Sequence, residues 1–151
     1  VEVWCERIRE NTADSTGTIS VASAEGRLIG MAGLTCGRWP KTRHSGTIWG
    51  VHVNAEWRGH GIAEGLLQGC CAWAQARGLA VVKLGVVTTN ASAIRCYARC
   101  GFTVYGIKPK VIFWDGVLHD ELLMARTFWP GTPGWRHGDP RPRLMRRWWA
   151  T

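Results

Sequence analysis

The chain has 151 residues, of which 46% are hydrophobic and 20% are charged, and its formal net charge is +8. These values are ordinary for a soluble globular protein and fit one domain with a buried core. No run approaches the roughly 20 apolar residues of a membrane-spanning helix, and charges within the first ten residues exclude a signal peptide. We therefore expect a cytoplasmic protein with no membrane partner.

The pattern of apolar residues predicts a mixed α/β domain of the α+β class. The predicted elements, in chain order, are a helix at 1–11, strands at 17–23, 27–36 and 47–54, a helix at 61–77, a strand at 79–87, a helix at 91–100, and strands at 102–107 and 119–126. Glu25-Gly26 and Asp115-Gly116 have the composition of tight hairpin turns. Because hairpins pair their strands antiparallel, we expect a mixed, mostly antiparallel sheet with flanking helices.

The composition changes after residue 126. Residues 127–151 contain four of the ten tryptophans, four prolines and five arginines, which is typical of an irregular segment. We therefore divide the chain into a domain at 1–126 and an irregular tail at 127–151. Arginine and tryptophan together can contact nucleic acid, but such clusters are common in single chains, so we expect no nucleic-acid partner.

The cysteines raise the question of a disulfide or a metal site. They stand at Cys5, Cys36, Cys70, Cys71, Cys96 and Cys100, without a Cys-x-x-Cys pair or clustered histidines. A structural zinc site needs four ligands at suitable spacing. In a reducing compartment free thiols are the expected state, so we predict no metal and no disulfide.

The segment between the third predicted strand and the strongest predicted helix has the features of an anion site. It consists of Arg58, Gly59, His60, Gly61, Ile62 and Ala63. The first amides of a helix lack intrahelical partners and lie at the positive end of the helix dipole, so a phosphate can satisfy them. Glycine lets the backbone approach the anion, and arginine adds positive charge. The segment predicts a pyrophosphate cradle, with a turn that binds nothing as the plain alternative.

Three motifs in order resemble those of the GNAT acetyltransferase family. Arg58, Gly61 and Ala63 match its Q/R-x-x-G-x-G/A motif, and the strand before them resembles the family's fourth strand. The family's N-x-x-A-x-x-x-Y-x-x-x-G-F segment is matched by Asn90, Ala93, Tyr97, Gly101 and Phe102. Asp115-Gly116 and residues 120–124 resemble its closing hairpin.

The resemblance covers about residues 17–126 and implies a GNAT fold. In that fold the sheet splays apart between the family's fourth and fifth strands, which are the strands predicted here at 47–54 and 79–87. Acetyl-coenzyme A (acetyl-CoA) enters the gap. We expect the family's first strand to be absent from this chain. Three explanations stay open: a truncated N-terminus, a sheet completed by a second subunit in a homodimer, and use of the tail instead.

The same resemblance implies which residues hold the cosubstrate. Backbone groups of Val51 and Val53 would bind the pantetheine arm like an added strand, as would Asn90, and amides of residues 59–63 would bind the pyrophosphate. Tyr97 would protonate the leaving thiolate as general acid, and the Val53 amide is a candidate donor to the oxyanion. A core aromatic and a helix cap are the plain alternatives for Tyr97 and Asn90.

The group that takes a proton from the amine is less defined. Family members use a glutamate in the fourth or the fifth strand, where this chain has Thr47 and Gly85. We choose His52 as the catalytic base, because histidine titrates near neutral pH. Further candidates, for which a surface role is commoner, are His44, Asp120 and Glu121. A base is unnecessary if water carries the proton away.

Together these features predict an acetyl-CoA-dependent N-acetyltransferase that uses no metal. We expect the acceptor partner to be a small-molecule amine or amino acid, with a protein N-terminus next. The alternative is a non-catalytic acyl-CoA-binding module. The missing glutamates favour that alternative, whereas the intact cradle and Tyr97 oppose it.

Overall fold

A computed structural model describes residues 16–128 of the protein. The predicted N-terminal helix, the expected absence of a first strand and the predicted tail from residue 129 onward concern residues outside this range. The elements are β1 (Gly17–Ala24), β2 (Arg27–Cys36), β3 (Ser45–Val53), a short 3-10 helix (Ala55–Trp57), α1 (Ile62–Ala76), β4 (Val81–Val87), α2 (Ala91–Arg99), β5 (Thr103–Trp114) and β6 (Val117–Thr127).

The strands of the described chain form one mixed sheet in the order β1-β2-β3-β4-β6-β5. Within residues 16–128, β3 and β4 run parallel and every other neighbouring pair is antiparallel. Both hairpin turns have positive φ at their central residues, with 51° and 73° at Glu25 and Gly26 and 48° and 73° at Asp115 and Gly116. This turn geometry matches the twist of paired strands. The predicted turns and the mostly antiparallel sheet are confirmed.

Strand β5 is longer than its sequence indicates. It runs to Trp114 rather than to residue 107, whereas the other element boundaries lie within two residues of their predicted positions. Pro109 hides the continuation, because proline cannot donate to a strand ladder. The structure accommodates it on the edge strand, where the pairing shifts register after Lys108 and Lys110 takes a φ of 56°.

Both helices pack on one face of the sheet and bury the core there. Leu67 of α1 is fully buried, together with Leu34 of β2 and Val82 of β4. Along β4 and β6, side chains alternate between this helix-covered face and the opposite one. The helix-covered face holds Val82, Leu84, Val86 and Met124. Among residues 16–128 no helix covers the opposite side, which carries Lys83, Gly85, Glu121 and Leu123, and we call it the open face.

No helix within residues 16–128 is long and apolar enough to cross a membrane.

Candidate active site

A cleft opens where β3 and β4 stop pairing. The paired positions are Ser45 with Val81, Gly46 with Val82, and Thr47 with Lys83. Beyond them β3 continues to Val53 and β4 to Val87 without a shared ladder, so the sheet splays as predicted. The cleft has a volume of about 420 Å³ and is lined by the end of β3, the start of α1 and one side of α2.

A bulge in β3 accounts for the opening. Met31 pairs with His52 and Gly33 pairs with Trp49, so two steps along β2 correspond to three steps along β3. Gly50 lies in this interval with a φ of 61°. An extra residue in one strand bends that strand and increases its local twist. Strand β3 therefore turns away from β4 at this point.

Beyond the bulge, one edge of β3 offers backbone groups to the cleft. The Asn54 N–H donates to the Ile29 carbonyl of β2 at 2.9 Å. Because hydrogen bonding alternates along an antiparallel ladder, Val53, which is paired with Gly30, directs its own N–H and C=O toward the other edge. Val53 and Val51 both line the cleft, in the region predicted for the pantetheine arm.

Helix α1 begins beside the cleft with an open N-terminus. Its N-cap is Gly61, at a φ of 75°, and Gly59 has a φ of 80°. A Cβ added at either glycine would meet no atom within 4 Å, so the space before the helix is clear. The Gly65 N–H donates to the Gly61 carbonyl at 3.0 Å. The amides before it, those of Ile62 and Ala63, lie where an anion binds to a helix.

Arg58 and His60 lie on different sides of this segment. Arg58 lines the cleft, and its Nε donates to the Val53 carbonyl at 3.1 Å. That bond orients the guanidinium and leaves its other donors for an anion. His60 lines a second cavity of about 390 Å³ beside Trp57, with its Nδ1 3.3 Å from the Trp57 carbonyl oxygen. Its imidazole thus lies outside the cleft, and its backbone alone could join the predicted cradle.

Asn90 caps α2 at the edge of the cleft. Its Oδ1 accepts a hydrogen bond from the Ala93 N–H at 3.1 Å, so the predicted N-cap is confirmed. An asparagine side chain also carries two N–H donors, which the cap does not use. Because Asn90 lines the cleft, these donors are available to a ligand there.

Tyr97 lines the cleft from α2 and is only 8% exposed. Its ring packs edge-on against Phe102, with ring centroids 6.5 Å apart. Within residues 16–128 every fully buried side-chain oxygen or nitrogen has a hydrogen-bond partner. The Tyr97 hydroxyl has no partner there, so it is not fully buried and must be accessible from the cleft. Burial, and then Cys96 and Cys100, raise the pKa of Tyr97 to about 12. The phenol therefore keeps its proton at neutral pH.

His52 lies between Val51 and Val53 on β3. Both valines pack against the core, so the alternation along the strand directs the His52 side chain to the open face, where it is exposed. His52 nevertheless lines the same cleft as Tyr97, so the predicted base and the predicted general acid both border it.

The cleft also contains side chains that the sequence did not single out. They are Trp57, Glu64, Ser92, Cys96 and Arg99. Glu64, in the first turn of α1, forms an ion pair with Arg99 of α2, and the hydrogen bond from Arg99 lowers the pKa of Glu64. The pair joins the two helices that line the cleft. Its partners are distant in sequence, and an acidic residue in a first helical turn is too common a feature to reveal them.

The cysteines within the described chain are all free thiols, and Cys5 lies outside it. Burial raises the pKa of Cys70, Cys71 and Cys100, and it raises that of Cys96 to about 12. Such thiols are poor nucleophiles at neutral pH. Residues 16–128 contain no group of three or more His, Cys, Asp or Glu side chains that could hold a metal ion.

Comparison with known sequences gives this arrangement a family. The sequence model of the Acetyltransferase (GNAT) family matches residues 2–102. The L-amino acid N-acetyltransferase AaaT of Escherichia coli (strain K12) is 28% identical over 129 residues, which cover 82% of this chain and 75% of that protein.

Solved structures share the fold. The ribosomal-protein-alanine N-acetyltransferase from Brucella melitensis is 26% identical, with a TM-score of 0.77 over 84% of this chain and 78% of that one. The acetyltransferase yncA from Salmonella typhimurium, solved with its cofactor acetyl-CoA, is 22% identical, with a TM-score of 0.76 over 86% of this chain and 76% of that one. The expected fold and family are confirmed: the chain belongs to the GNAT family of acetyltransferases.

Proposed function

We propose that the protein transfers the acetyl group of acetyl-CoA to the primary amine of a small molecule or amino acid. One observation carries this proposal. A single cleft gathers the open N-terminus of α1, the β3 backbone at Val53, the α2 cap Asn90 and the buried Tyr97. These are the parts that an acetyl donor and its leaving group need, and they come from three separate segments of the chain.

The residues present fit the coenzyme. The clear space before Gly59 and Gly61, with the amides of Ile62 and Ala63 and the remaining donors of Arg58, would hold the pyrophosphate. The free edge of β3 and the Asn90 amide would hold the pantetheine arm. When bound, acetyl-CoA supplies an acetyl group activated as a thioester.

Two groups on this chain would assist the transfer. Tyr97 presents a protonated hydroxyl at the cleft, and it can donate that proton, or a hydrogen bond, to a departing thiolate. The Val53 N–H points toward the cleft and can donate to the carbonyl oxygen as negative charge develops there. His52, chosen from the sequence as the base, also borders the cleft, and its side chain is exposed.

Two of the relatives suggest the class of acceptor. AaaT is an L-amino acid N-acetyltransferase, and the Brucella structure is a ribosomal-protein-alanine N-acetyltransferase. Both names describe acetylation of an amino group on an amino acid, free in one case and within a protein in the other. We therefore propose an α-amine as the acceptor, with the free amino acid as the first choice, because AaaT is similar over most of both chains.

The test is a thiol-release assay with acetyl-CoA and a panel of L-amino acids, with alanyl peptides as a second arm. The same amino acids carrying an N-acetyl group serve as matched controls. We expect coenzyme A release with the free amines and none with the blocked ones. A folded protein that binds acetyl-CoA but acetylates no amine would contradict the proposal and favour the acyl-CoA-binding module.

A further inference from the structure

A carboxylate lies directly on the backbone of β4 at the open part of the gap. Gly85 has no side chain, and a Cβ added there would collide with the carboxyl group of Glu121 and lie 3.0 Å from its Cγ. The Glu121 side chain is 21% exposed, so it is neither free in solvent nor sealed in the core. Gly85 thus provides the space in which this carboxylate lies.

Neighbouring strands hold the carboxylate in that position. Glu121 is the direct cross-strand partner of Val87 on one side and of Lys108 on the other, which makes Gly85 a diagonal neighbour. The Lys108 Nζ is 3.0 Å from the Glu121 Oε2. One carboxylate oxygen therefore binds Lys108, while the other lies over Gly85.

This position lies at the splay between β3 and β4. The last residue of β4 that pairs with β3 is Lys83, and Gly85 comes two residues later, in the separated part of the strand. Glu121 lies over it on the open face, opposite the helices that line the cleft. A molecule that approaches the gap from the open face would meet Glu121 at the edge of β4 and His52 at the edge of β3.

We propose that Glu121 is the residue that takes the proton from the acceptor amine, an inference that rests on the proposed acetyl transfer. The amine nitrogen forms a bond to the acetyl carbon as the carbon–sulfur bond breaks. The proton that leaves the nitrogen goes to a Glu121 carboxylate oxygen, and the departing thiolate takes the Tyr97 proton. Solvent then removes the proton from Glu121 and returns one to Tyr97.

Packing favours Glu121 over His52 for this role. The imidazole of His52 is exposed, whereas the Glu121 carboxylate is fixed between Lys108 and the bare backbone of Gly85. A fixed group loses less conformational freedom when it receives a proton in the transition state. Gly85 and Glu121 also act as a pair, because any side chain at residue 85 would displace the carboxylate.

The pH dependence of the reaction involves several groups near Glu121. Lys108 contacts it, and His119 lies two residues before it on the same strand. Lys83 lies two residues before Gly85 on β4, and His52 borders the cleft on β3. The acceptor amine titrates as well. The pH profile of Glu121→Gln must therefore be read against the wild-type profile, with the same acceptor and the same salt.

The test measures kcat/KM for the amine between pH 6.5 and 9.5. For Glu121→Gln we expect kcat/KM to fall by about 100-fold at neutral pH, the usual effect of removing a general base. We expect kcat/KM to recover toward the wild-type value as pH rises, because the amine then loses its proton without help from the protein. Acetyl-CoA affinity should not change. The matched control is Asp115→Asn, at the exposed tip of the same hairpin, where asparagine tolerates the positive φ.

A second variant separates catalysis from folding. In the double variant Gly85→Glu/Glu121→Gly, the carboxylate is attached to β4 instead of β6 and occupies the space vacated by the Glu121 side chain. We expect this double variant to regain at least about tenfold of the rate that Glu121→Gly loses.

Three results would overturn the inference. The kcat/KM of Glu121→Gln could stay within about twofold of wild type at every pH, or it could fall equally at every pH with no rescue by the double variant. His52→Asn could also show a pH-dependent loss of kcat/KM that Glu121→Gln lacks. Absence of turnover in the wild-type protein would instead contradict the proposed function.

Discussion

The two faces of the β3–β4 gap are built from different kinds of groups. On the helix-covered face the cleft offers mainly backbone amides, glycines and capping groups, contributed by short continuous segments around Gly61 and Asn90. On the open face, side chains from β5 and β6 meet over β4 at Gly85. The first face depends on local sequence, and the second depends on how distant strands pair. The comparison teaches that groups contributed by short continuous segments can be recognised in a sequence before groups that distant strands bring together.

The largest effect should come from Tyr97→Phe, which removes the hydroxyl at the cleft and keeps the ring against Phe102. We expect kcat to fall by about 100-fold or more, the usual contribution of a general acid, while the Kd of acetyl-CoA changes little. Steady-state thiol release and calorimetry measure the two quantities. Tyr105→Phe is the control, since Tyr105 is 55% exposed on the edge strand. Full kcat in Tyr97→Phe would show that Tyr97 is not the general acid.

Alkaline pH should destabilise the helix-covered face. Burial raises the pKa of Cys70, Cys71 and Cys100, and it raises that of Cys96 and of Tyr97 to about 12. The unfolded chain loses these protons at lower pH than the folded chain does, so this stability is present below about pH 9 and is lost as pH rises toward 12. Urea denaturation at pH 7.5 and 10 should show the fall, and Cys96→Ala should show less of it. Equal stability at both pH values would contradict the burial of these groups.

Asn90 has two roles on the helix-covered face that can be separated. Asn90→Ala removes the cap acceptor and should cost about 1 kcal/mol of unfolding free energy, in addition to weakening acetyl-CoA binding. Asn90→Ser keeps an oxygen that can cap α2 but lacks the amide donors, so it should restore stability without restoring affinity. Chemical denaturation and calorimetry distinguish the two. Full affinity in both variants would leave Asn90 as a helix cap alone.

The smallest effects concern the ion pair between Glu64 and Arg99. Glu64 lies in the first turn of α1, near the proposed pyrophosphate site, so Glu64→Gln should tighten acetyl-CoA binding by about twofold to fivefold at low salt. Arg99→Gln should weaken it by a similar factor, because it leaves the carboxylate uncompensated. Both changes should shrink in 0.5 M NaCl. Calorimetry measures both affinities. Weaker binding by Glu64→Gln and tighter binding by Arg99→Gln, the reverse of this prediction, would show that the pair orders the helices rather than tuning the charge of the cleft.

The elements of the fold could be predicted because their signals are local. The turns Glu25-Gly26 and Asp115-Gly116, the apolar stripe of α1 and the Asn90 cap each lie within a few residues of the structure that they produce. The length of β5 could not, because Pro109 interrupts its pattern and a register shift on the sheet edge compensates.

The site divides in the same way. The segment around Gly61 and the position of Tyr97 follow from motifs, and the structure brings both to one cleft. The direction of the His60 ring could not be predicted, since it depends on its contact with Trp57. The placement of Glu121 over Gly85 depends on the antiparallel register of β4 and β6, which no local pattern specifies.

The most direct test of the central claim is calorimetric titration of acetyl-CoA into the wild-type protein, Gly61→Glu and Gly116→Glu. Both glycines have nearly the same positive φ, 75° and 73°, and both face open space, so the two variants carry similar backbone strain and the same added charge. We expect wild type and Gly116→Glu to bind alike, and Gly61→Glu to bind at least about 100-fold more weakly, because its carboxylate would occupy and repel the phosphate site. Equal binding by all three, or no binding by folded wild-type protein, would contradict the assignment of the cleft to the acetyl donor.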